Sequence, residues 1–187
     1  MFDLGPAAQE MNRLVAGVRD DQLAQPTPCS DWSVADLLAH VLQFSTVFTD
    51  NARKVEAVPP DSLPGDWRTT LPRQLDDLVE AWRDEAAWQG RTSAGGVEMA
   101  AADNAVVAVE ELVVHAWDLA RATDQDLRPD ATSLDEVDHF MAMFADAIAS
   151  GRGPYGPEVE APTPADRLDR LVARAGRDPR WSAPVAG

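Results

Sequence analysis

Hydrophobic residues recur at intervals of three and four along nearly the whole chain, a spacing typical of amphipathic helices. No run of alternating valine, isoleucine or threonine indicates a strand. The pattern therefore predicts an all-α fold, most simply a four-helix bundle with an additional short helix near the C-terminus. The first helix illustrates the spacing, with apolar side chains at Leu4, Ala8, Met11, Leu14, Val15 and Val18.

Proline and glycine clusters divide the chain into helices. A proline-containing loop ends at Ser33, which is a suitable N-cap for a second helix because Asp36 follows three residues later, as in a capping box. Residues 58–66 hold three prolines and a glycine, so a crossover loop is expected there. A third helix then carries an apolar stripe ending at Trp82, and the glycines of residues 90–96 are expected to break it.

Three further helices are predicted in the second half of the chain. The fourth, from about Glu98 to Thr123, is the most apolar and is expected at the centre of the fold. Ser133 is the predicted cap of a fifth helix, and residues 151–157 are predicted to be irregular. Thr163-Pro164 is predicted to open a short last helix that ends at Gly176.

Length and charge limit the function classes. A chain of 187 residues suits one domain, and we expect residues 1–187 to form it. The net charge of −16 argues against binding to nucleic acid or to an anionic membrane surface, since both need a basic face. The absence of a long apolar run, of a signal-peptide pattern and of more than one cysteine predicts a cytoplasmic protein. We expect a monomer or a homodimer.

Three residues could form a metal site. Glu111 and His115 lie four apart in the fourth predicted helix, so their side chains share a face. His40 lies beside the apolar stripe of the second helix and could supply a third ligand. Two imidazoles and one carboxylate leave a coordination position open for water or substrate, which is typical of a catalytic divalent metal such as Zn²⁺.

Each of these residues also has a plainer interpretation. His40 could be a hydrogen-bonded core residue, and Glu111 with His115 could be a surface ion pair. Asp118, three residues after His115, could accept the second imidazole N–H or could be an exposed partner of Arg121.

Asn104 lies two turns before Glu111 and is a candidate pocket residue. Among the remaining candidates, Cys29 is expected to be a packed loop thiol, His139 a solvated residue and Tyr155 a possible pocket residue.

Two segments resemble signatures of the actinobacterial DinB-like proteins, which are related to the N-terminal domain of mycothiol-dependent maleylpyruvate isomerase. The first runs from Pro26 through Val41 and contains His40, and the second runs from Glu111 through Thr123. The resemblance extends over nearly the whole chain, including an ending similar to that of one single-domain subgroup.

The resemblance implies a bundle wound up-down-down-up with a divalent metal, usually zinc, between its helices. The family's ligands are a histidine of the second helix with an acidic residue or histidine and a second histidine of the fourth, which correspond here to His40, Glu111 and His115. It also implies a low-molecular-weight thiol, mycothiol or bacillithiol, held as a thiolate. A coordinated thiol is deprotonated and becomes a good nucleophile.

The expected function is therefore a metal-dependent, mycothiol-dependent S-transferase acting on electrophilic small molecules. The isomerase itself has a second, C-terminal domain that this chain is too short to contain, so isomerisation of maleylpyruvate is not expected. Two alternatives stay open: a hydrolase that uses metal-bound hydroxide, and a metal- or ligand-binding protein that is not an enzyme.

Overall fold

The computed structural model describes residues 1–150 and 155–183, which are mainly helical. The prediction of an all-α fold is confirmed, apart from one short hairpin. Two 3₁₀ turns, Asp20–Gln22 and Glu85–Trp88, lie between the longer elements. In chain order the other elements are α1 (Gly5–Gly17), α2 (Val34–Arg53), α3 (Trp67–Trp82), β1 (Arg91–Ala94), β2 (Val97–Ala100), α4 (Ala101–Thr123), α5 (Ala131–Met143), α6 (Ala145–Ala149) and α7 (Arg167–Arg174).

Helices α1 to α4 form the predicted bundle, in which α1 and α2 each pack against both α3 and α4. Side-chain contacts give the directions. His40 meets Glu111 while Asn51, further along α2, meets Asn104, which is earlier on α4, so these two helices are antiparallel.

Helix α1 runs antiparallel to α3, because Asn12 contacts Asp76 whereas the later Val18 carbonyl accepts from the earlier Arg68. The C-terminal ends of α1 and α4 lie together, where Gln125 donates to the Leu14 carbonyl. The order along the chain is therefore up-down-down-up, as the resemblance implied.

Helix α4 occupies the centre, as its apolar sequence predicted. Between Asn104 and Thr123 every residue is buried except Glu111 and Arg121. Helix α5 packs along α4 outside the four-helix core, and the short α7 packs on α5. A polar side chain on this stretch of α4 is consequently enclosed by protein on most sides and needs a partner there.

The predicted start of α2 is confirmed. The Ser33 side chain accepts from the Asp36 backbone N–H, and Asp36 accepts from the Ser33 N–H at 2.9 Å. This reciprocal cap fixes where the helix begins and so sets the register that places His40, two turns later, on the face toward α4.

The absence of strands was a wrong prediction. Residues 91–100 form an antiparallel hairpin in which Ala94 pairs with Val97. Gly95 and Gly96 both have positive φ, +56° and +80°, as a two-residue type I′ turn requires. Strands of four residues are too short to show a clear alternation, so only the Gly-Gly pair indicated the turn. The hairpin also moves the start of α4 to Ala101 from the predicted Glu98.

Two predicted helix starts were displaced by a few residues. Helix α5 is capped by Asp130, which accepts from the Ser133 N–H at 3.0 Å, so Ser133 lies inside the first turn. Helix α7 is capped by Asp166 rather than opened by Thr163-Pro164. In both cases the cap is an aspartate three residues from the predicted cap, and a carboxylate is a strong capping acceptor. Gly176, with φ of +74°, follows the end of α7 as predicted.

Of the stretch predicted to be irregular, residues 151–154 lie outside the described residues, and Tyr155 begins the coil that leads to α7. No described helix combines the length and the apolar character that a membrane span requires.

Candidate metal centre

The three predicted metal ligands meet between α2 and α4. His40 Nε2 lies 3.3 Å from Glu111 Oε2, and His115 Nε2 lies 3.1 Å from the same oxygen. The three potential donor atoms all lie within 4.8 Å of one another. Two residues one turn apart on α4 and one on the antiparallel α2 thus converge on a single point.

The donor set fits a divalent metal ion. Bonds of about 2.0–2.2 Å to nitrogen and oxygen would separate neighbouring donors by roughly 3.0–3.5 Å at tetrahedral or octahedral angles. Both contacts to the Glu111 oxygen fall within that span. Two imidazoles with one carboxylate suit zinc, and three protein ligands leave room for an exogenous one. Among the described residues, this is the one group of three metal-ligating side chains whose donor atoms lie close enough together to hold an ion.

Asp118 orients the His115 ring. Its Oδ2 lies 2.9 Å from His115 Nδ1, which leaves Nε2 free to face the centre. Arg177, close after α7, donates to the same oxygen at 3.0 Å. Asp118 is fully buried, so the alternative of an exposed pair with Arg121 is wrong, and Arg121 donates instead to the Pro179 carbonyl.

The electrostatics of the cluster follow from these contacts. Burial lowers the pKa of His115, but hydrogen bonds to Asp118 and Glu111 outweigh burial and raise it to about 9. Burial raises the pKa of Glu111, yet hydrogen bonds from His115 and His40 hold it well below its usual range. Asp118 is likewise buried, but its contacts with His115 and Arg177 lower its pKa. The metal-free centre therefore holds alternating charges, and a metal ion would displace the proton on His115.

Glu110 is a buried carboxyl that the sequence analysis did not consider. It is fully buried, and Tyr155 donates to its Oε2 at 2.6 Å, while Oε1 has no partner among the described residues. Burial, with the neighbouring charge of Glu111, raises the pKa of Glu110 to about 8. A signal was present in the sequence: two adjacent glutamates cannot lie on one face of a helix, so a helix at the centre of the fold must bury at least one of them.

A cavity of about 400 Å³ borders the cluster, and we call it the polar cavity because more polar side chains line it than line the second cavity. Its wall includes Trp32, Cys29, Tyr155 and Arg177. Tyr155 is thus a pocket residue, and the Arg177 guanidinium lies 4.4 Å from its ring centre. Burial raises the pKa of the Cys29 thiol, in keeping with the prediction that it is a packed thiol and not a nucleophile.

A second cavity, of about 580 Å³, also borders the cluster and is mainly apolar. His40 and Glu111 border both cavities. The cluster therefore borders two cavities that differ in polarity.

Asn104 is placed differently from its prediction. It is fully buried, accepts from Asn51 Nδ2 at 3.2 Å, and does not line either cavity beside the cluster. Asn51 also donates to the Ser93 carbonyl, so the pair ties α2 and α4 to the hairpin. His139 is exposed beside Glu136, as predicted.

Residues 4–120 match the sequence profile of the family described as Mycothiol maleylpyruvate isomerase N-terminal domain. The chain belongs to this family. The matched region contains His40, Glu111, His115 and Asp118, whereas Tyr155 and Arg177 lie beyond it.

Two relatives of this family member come from Mycobacterium tuberculosis. The uncharacterized protein Rv0738 is 32% identical over 186 residues, which cover 89% of this chain and 91% of that protein. The uncharacterized protein Rv0036c is 26% identical over 212 residues, covering 92% of this chain and 80% of that protein.

The fold also resembles a solved member of the family. A crystal structure of the mycothiol-dependent maleylpyruvate isomerase superposes with a TM-score of 0.59 at 17% identity, covering 80% of this chain and 70% of that one. A histidine-to-alanine mutant of the same isomerase gives a TM-score of 0.62. At this identity the likeness establishes the shared fold.

Proposed function

We propose that the chain binds one zinc ion through His40, Glu111 and His115, and that it joins a low-molecular-weight thiol, through its sulfur, to an electrophilic small molecule. The observation that carries this proposal is the convergence of three donor atoms within 4.8 Å at the junction of two cavities. A zinc ion there would supply Lewis acidity and stabilise a thiolate at neutral pH.

The chain's own residues support such a site in two ways. Asp118 fixes the tautomer and orientation of His115, which keeps Nε2 available as a donor atom. The rings of Trp32 and Phe44 lie 4.8 Å and 5.5 Å from the His40 ring centre, and these contacts limit the movement of the His40 ring.

Mycothiol is the thiol that we propose as co-substrate. The family whose profile the chain matches is named for this thiol. The polar cavity offers Ser30, Tyr155 and Arg177 beside the cluster, groups suited to a hydrophilic thiol carrier. We place the reaction in the cytoplasm, where thiols are kept reduced.

The proposed reaction conserves atoms and charge. The thiol loses its S–H proton to solvent, a sulfur–carbon bond forms at the electrophilic carbon, and the leaving group departs with the electron pair of the bond that breaks. With chlorodinitrobenzene as electrophile, the products are the aryl thioether, chloride and a proton.

The test is thiol-dependent turnover by protein purified without chelators and loaded with zinc. We expect aryl thioether to form from mycothiol and chlorodinitrobenzene faster than in the protein-free reaction, and the excess rate to vanish in His115→Ala. The exposed His139→Ala is the matched control and should retain the rate. Equal rates with and without protein across a panel of electrophiles would contradict S-transfer, and turnover without any thiol would indicate a hydrolase.

A further inference from the structure

The two cavities beside the metal cluster differ in chemistry, although His40 and Glu111 border both. The polar cavity contains the Arg177 guanidinium and the Tyr155 ring. The apolar cavity, larger at about 580 Å³, has a size typical of sites for small organic ligands. A centre that borders two unlike cavities can receive two unlike ligands, one from each cavity.

Four phenylalanines supply most of the aromatic surface of the apolar cavity. Phe44 and Phe48 come from α2, and Phe140 and Phe144 from the α5 region on the other wall. The ring centres are 6.2 Å apart in the first pair and 4.7 Å apart in the second. Such walls favour a flat, aromatic ligand, because aromatic rings gain from edge and offset contacts as well as from burial.

The hairpin covers a third side of the apolar cavity. Ala94, Gly95, Val97 and Met99 line it there, and Val97 is 52% exposed, a large fraction for an apolar side chain. An apolar ligand in the cavity would cover this valine and remove apolar surface from water.

The described side chains that line the apolar cavity disfavour the binding of an anion. Among its described lining residues only His40, Gln43 and Glu111 have polar side chains, and none is an arginine or a lysine. A carboxylate placed among the aromatic walls, away from the cluster, would lose hydration without gaining a cation from the described side chains that line the cavity, which is unfavourable.

The nearest basic side chains on the hairpin side do not change this conclusion. Lys54 and Arg91 line a separate cleft on the other face of the hairpin. Lys54 donates to the Ala87 carbonyl at 2.7 Å, and Arg91 is paired with Glu98. Both charges are thus already engaged outside the apolar cavity.

We infer that the apolar cavity binds an uncharged, aromatic small molecule and discriminates against its carboxylated analogues. That this ligand is the electrophilic substrate rests on the proposed function, with the thiol then entering from the polar cavity. The binding preference itself depends only on the cavity's walls and charges.

The test measures binding without turnover, using an unreactive pair of matched shape. Dinitrotoluene and dinitrobenzoate of the same substitution pattern differ in a methyl group against a carboxylate. We expect isothermal titration of the chelator-treated protein, in which no metal can hold the carboxylate, to give at least about tenfold tighter binding of dinitrotoluene. Equal affinity, or tighter binding of dinitrobenzoate, would overturn the inference.

A variant that adds a positive charge to the cavity wall tests whether the ligand binds in this cavity. Gln43 lies in the cavity wall, one turn from His40, and already carries a long polar side chain, so Gln43→Arg adds a cation with little change of shape. We expect Gln43→Arg to reduce or reverse the preference for dinitrotoluene. Gln9→Arg adds the same charge at an exposed position away from this cavity and should leave the ratio unchanged. A preference insensitive to Gln43→Arg would place the ligand elsewhere and refute the assignment.

The two proposals fail separately. If thiol transfer is absent but the binding preference and its response to Gln43→Arg are found, the cavity assignment stands and the proposed function falls. If the protein transfers thiol to chlorodinitrobenzoate as fast as to chlorodinitrobenzene, the proposed function stands and the cavity assignment falls.

Discussion

The two histidines of the cluster contribute the same ring but have unlike surroundings. His115 is buried, and its second ring nitrogen is bound by Asp118, which is in turn held by Arg177. The His40 side chain is 29% exposed, touches the rings of Trp32 and Phe44, and has no described partner for its second ring nitrogen. His115 is held by a buried chain of polar contacts, whereas His40 is held by tilted and edge-on ring contacts beside two cavities.

This difference separates two tasks within the cluster. A ligand whose ring is already oriented loses little conformational freedom on binding a metal, so His115 provides the fixed reference point. His40 and Glu111 line both cavities, so they stand where a ligand would enter. We therefore expect the site to be more sensitive to changes around His115 than around His40.

The largest expected effect is loss of the metal in His115→Ala. Zinc affinity should fall by more than the roughly 100-fold upper bound for residues that only orient a ligand. His40→Ala should lower affinity less, since water can reach the vacated position. Competition titration with a chromogenic chelator measures both, with His139→Ala as control. A greater loss of zinc affinity in His40→Ala than in His115→Ala would contradict the expected difference between the two histidines.

The pH dependence of the metal-free protein should also follow His115. Its pKa is raised to about 9 from an ordinary value of 6.5, so its stabilising contribution is complete below the unfolded pKa and is lost as the pH rises through about 9. The loss amounts to roughly 3 kcal/mol. Burial raises the pKa of Glu110 from an ordinary value of 4.5 to about 8, so Glu110 also lowers stability as the pH rises toward about 8, above which its contribution is constant.

Urea unfolding of chelator-treated protein between about pH 6 and about pH 9.5 measures this loss. We expect Glu110→Gln to reduce the fall in the free energy of unfolding, because an amide cannot ionise. Asp77→Asn, at an exposed ion pair with Arg53, should leave the fall unchanged. A flat profile in the wild-type protein would contradict the charge arrangement around His115.

A smaller effect is expected when only the orienting carboxylate is altered. Asp118→Asn keeps the shape of the side chain but weakens its hold on the His115 N–H, and zinc affinity should fall about 10- to 100-fold. The same chelator competition measures it, with Asp77→Asn as the matched surface control. An unchanged zinc affinity would show that metal binding does not depend on the hydrogen bond between Asp118 and His115.

The smallest effect at the centre is expected from Asn104. Its side chain accepts from Asn51 and lies away from both cavities, so Asn104→Ala should lower the free energy of unfolding by about 1–3 kcal/mol. Zinc affinity should stay within about twofold of wild type, because no ligand is touched. A tenfold change in zinc affinity would show that Asn104 contributes to metal binding.

The sequence was sufficient for what depends on local pattern. Helical spacing predicted the bundle, and the Ser33–Asp36 cap gave the register of α2 and therefore the facing of His40. The four-residue spacing of Glu111 and His115 placed both on one face of α4. These features lie within a few residues of one another and need no tertiary information.

What the sequence did not reveal depends on segments far apart in the chain. Arg177 reaches Asp118 across 59 residues, and Tyr155 reaches Glu110 across 45, contacts that no local pattern specifies. The hairpin was missed because its strands have four residues each, and the caps of α5 and α7 were missed because two good acceptors stood near each helix start.

The most direct measurement of the metal site is anomalous diffraction at the zinc absorption edge, from crystals of protein purified without chelators. We expect one peak between α2 and α4, at about 2.0–2.2 Å from His40 Nε2, a Glu111 carboxylate oxygen and His115 Nε2. Absence of a peak there, or zinc bound only at another position, would contradict the central claim.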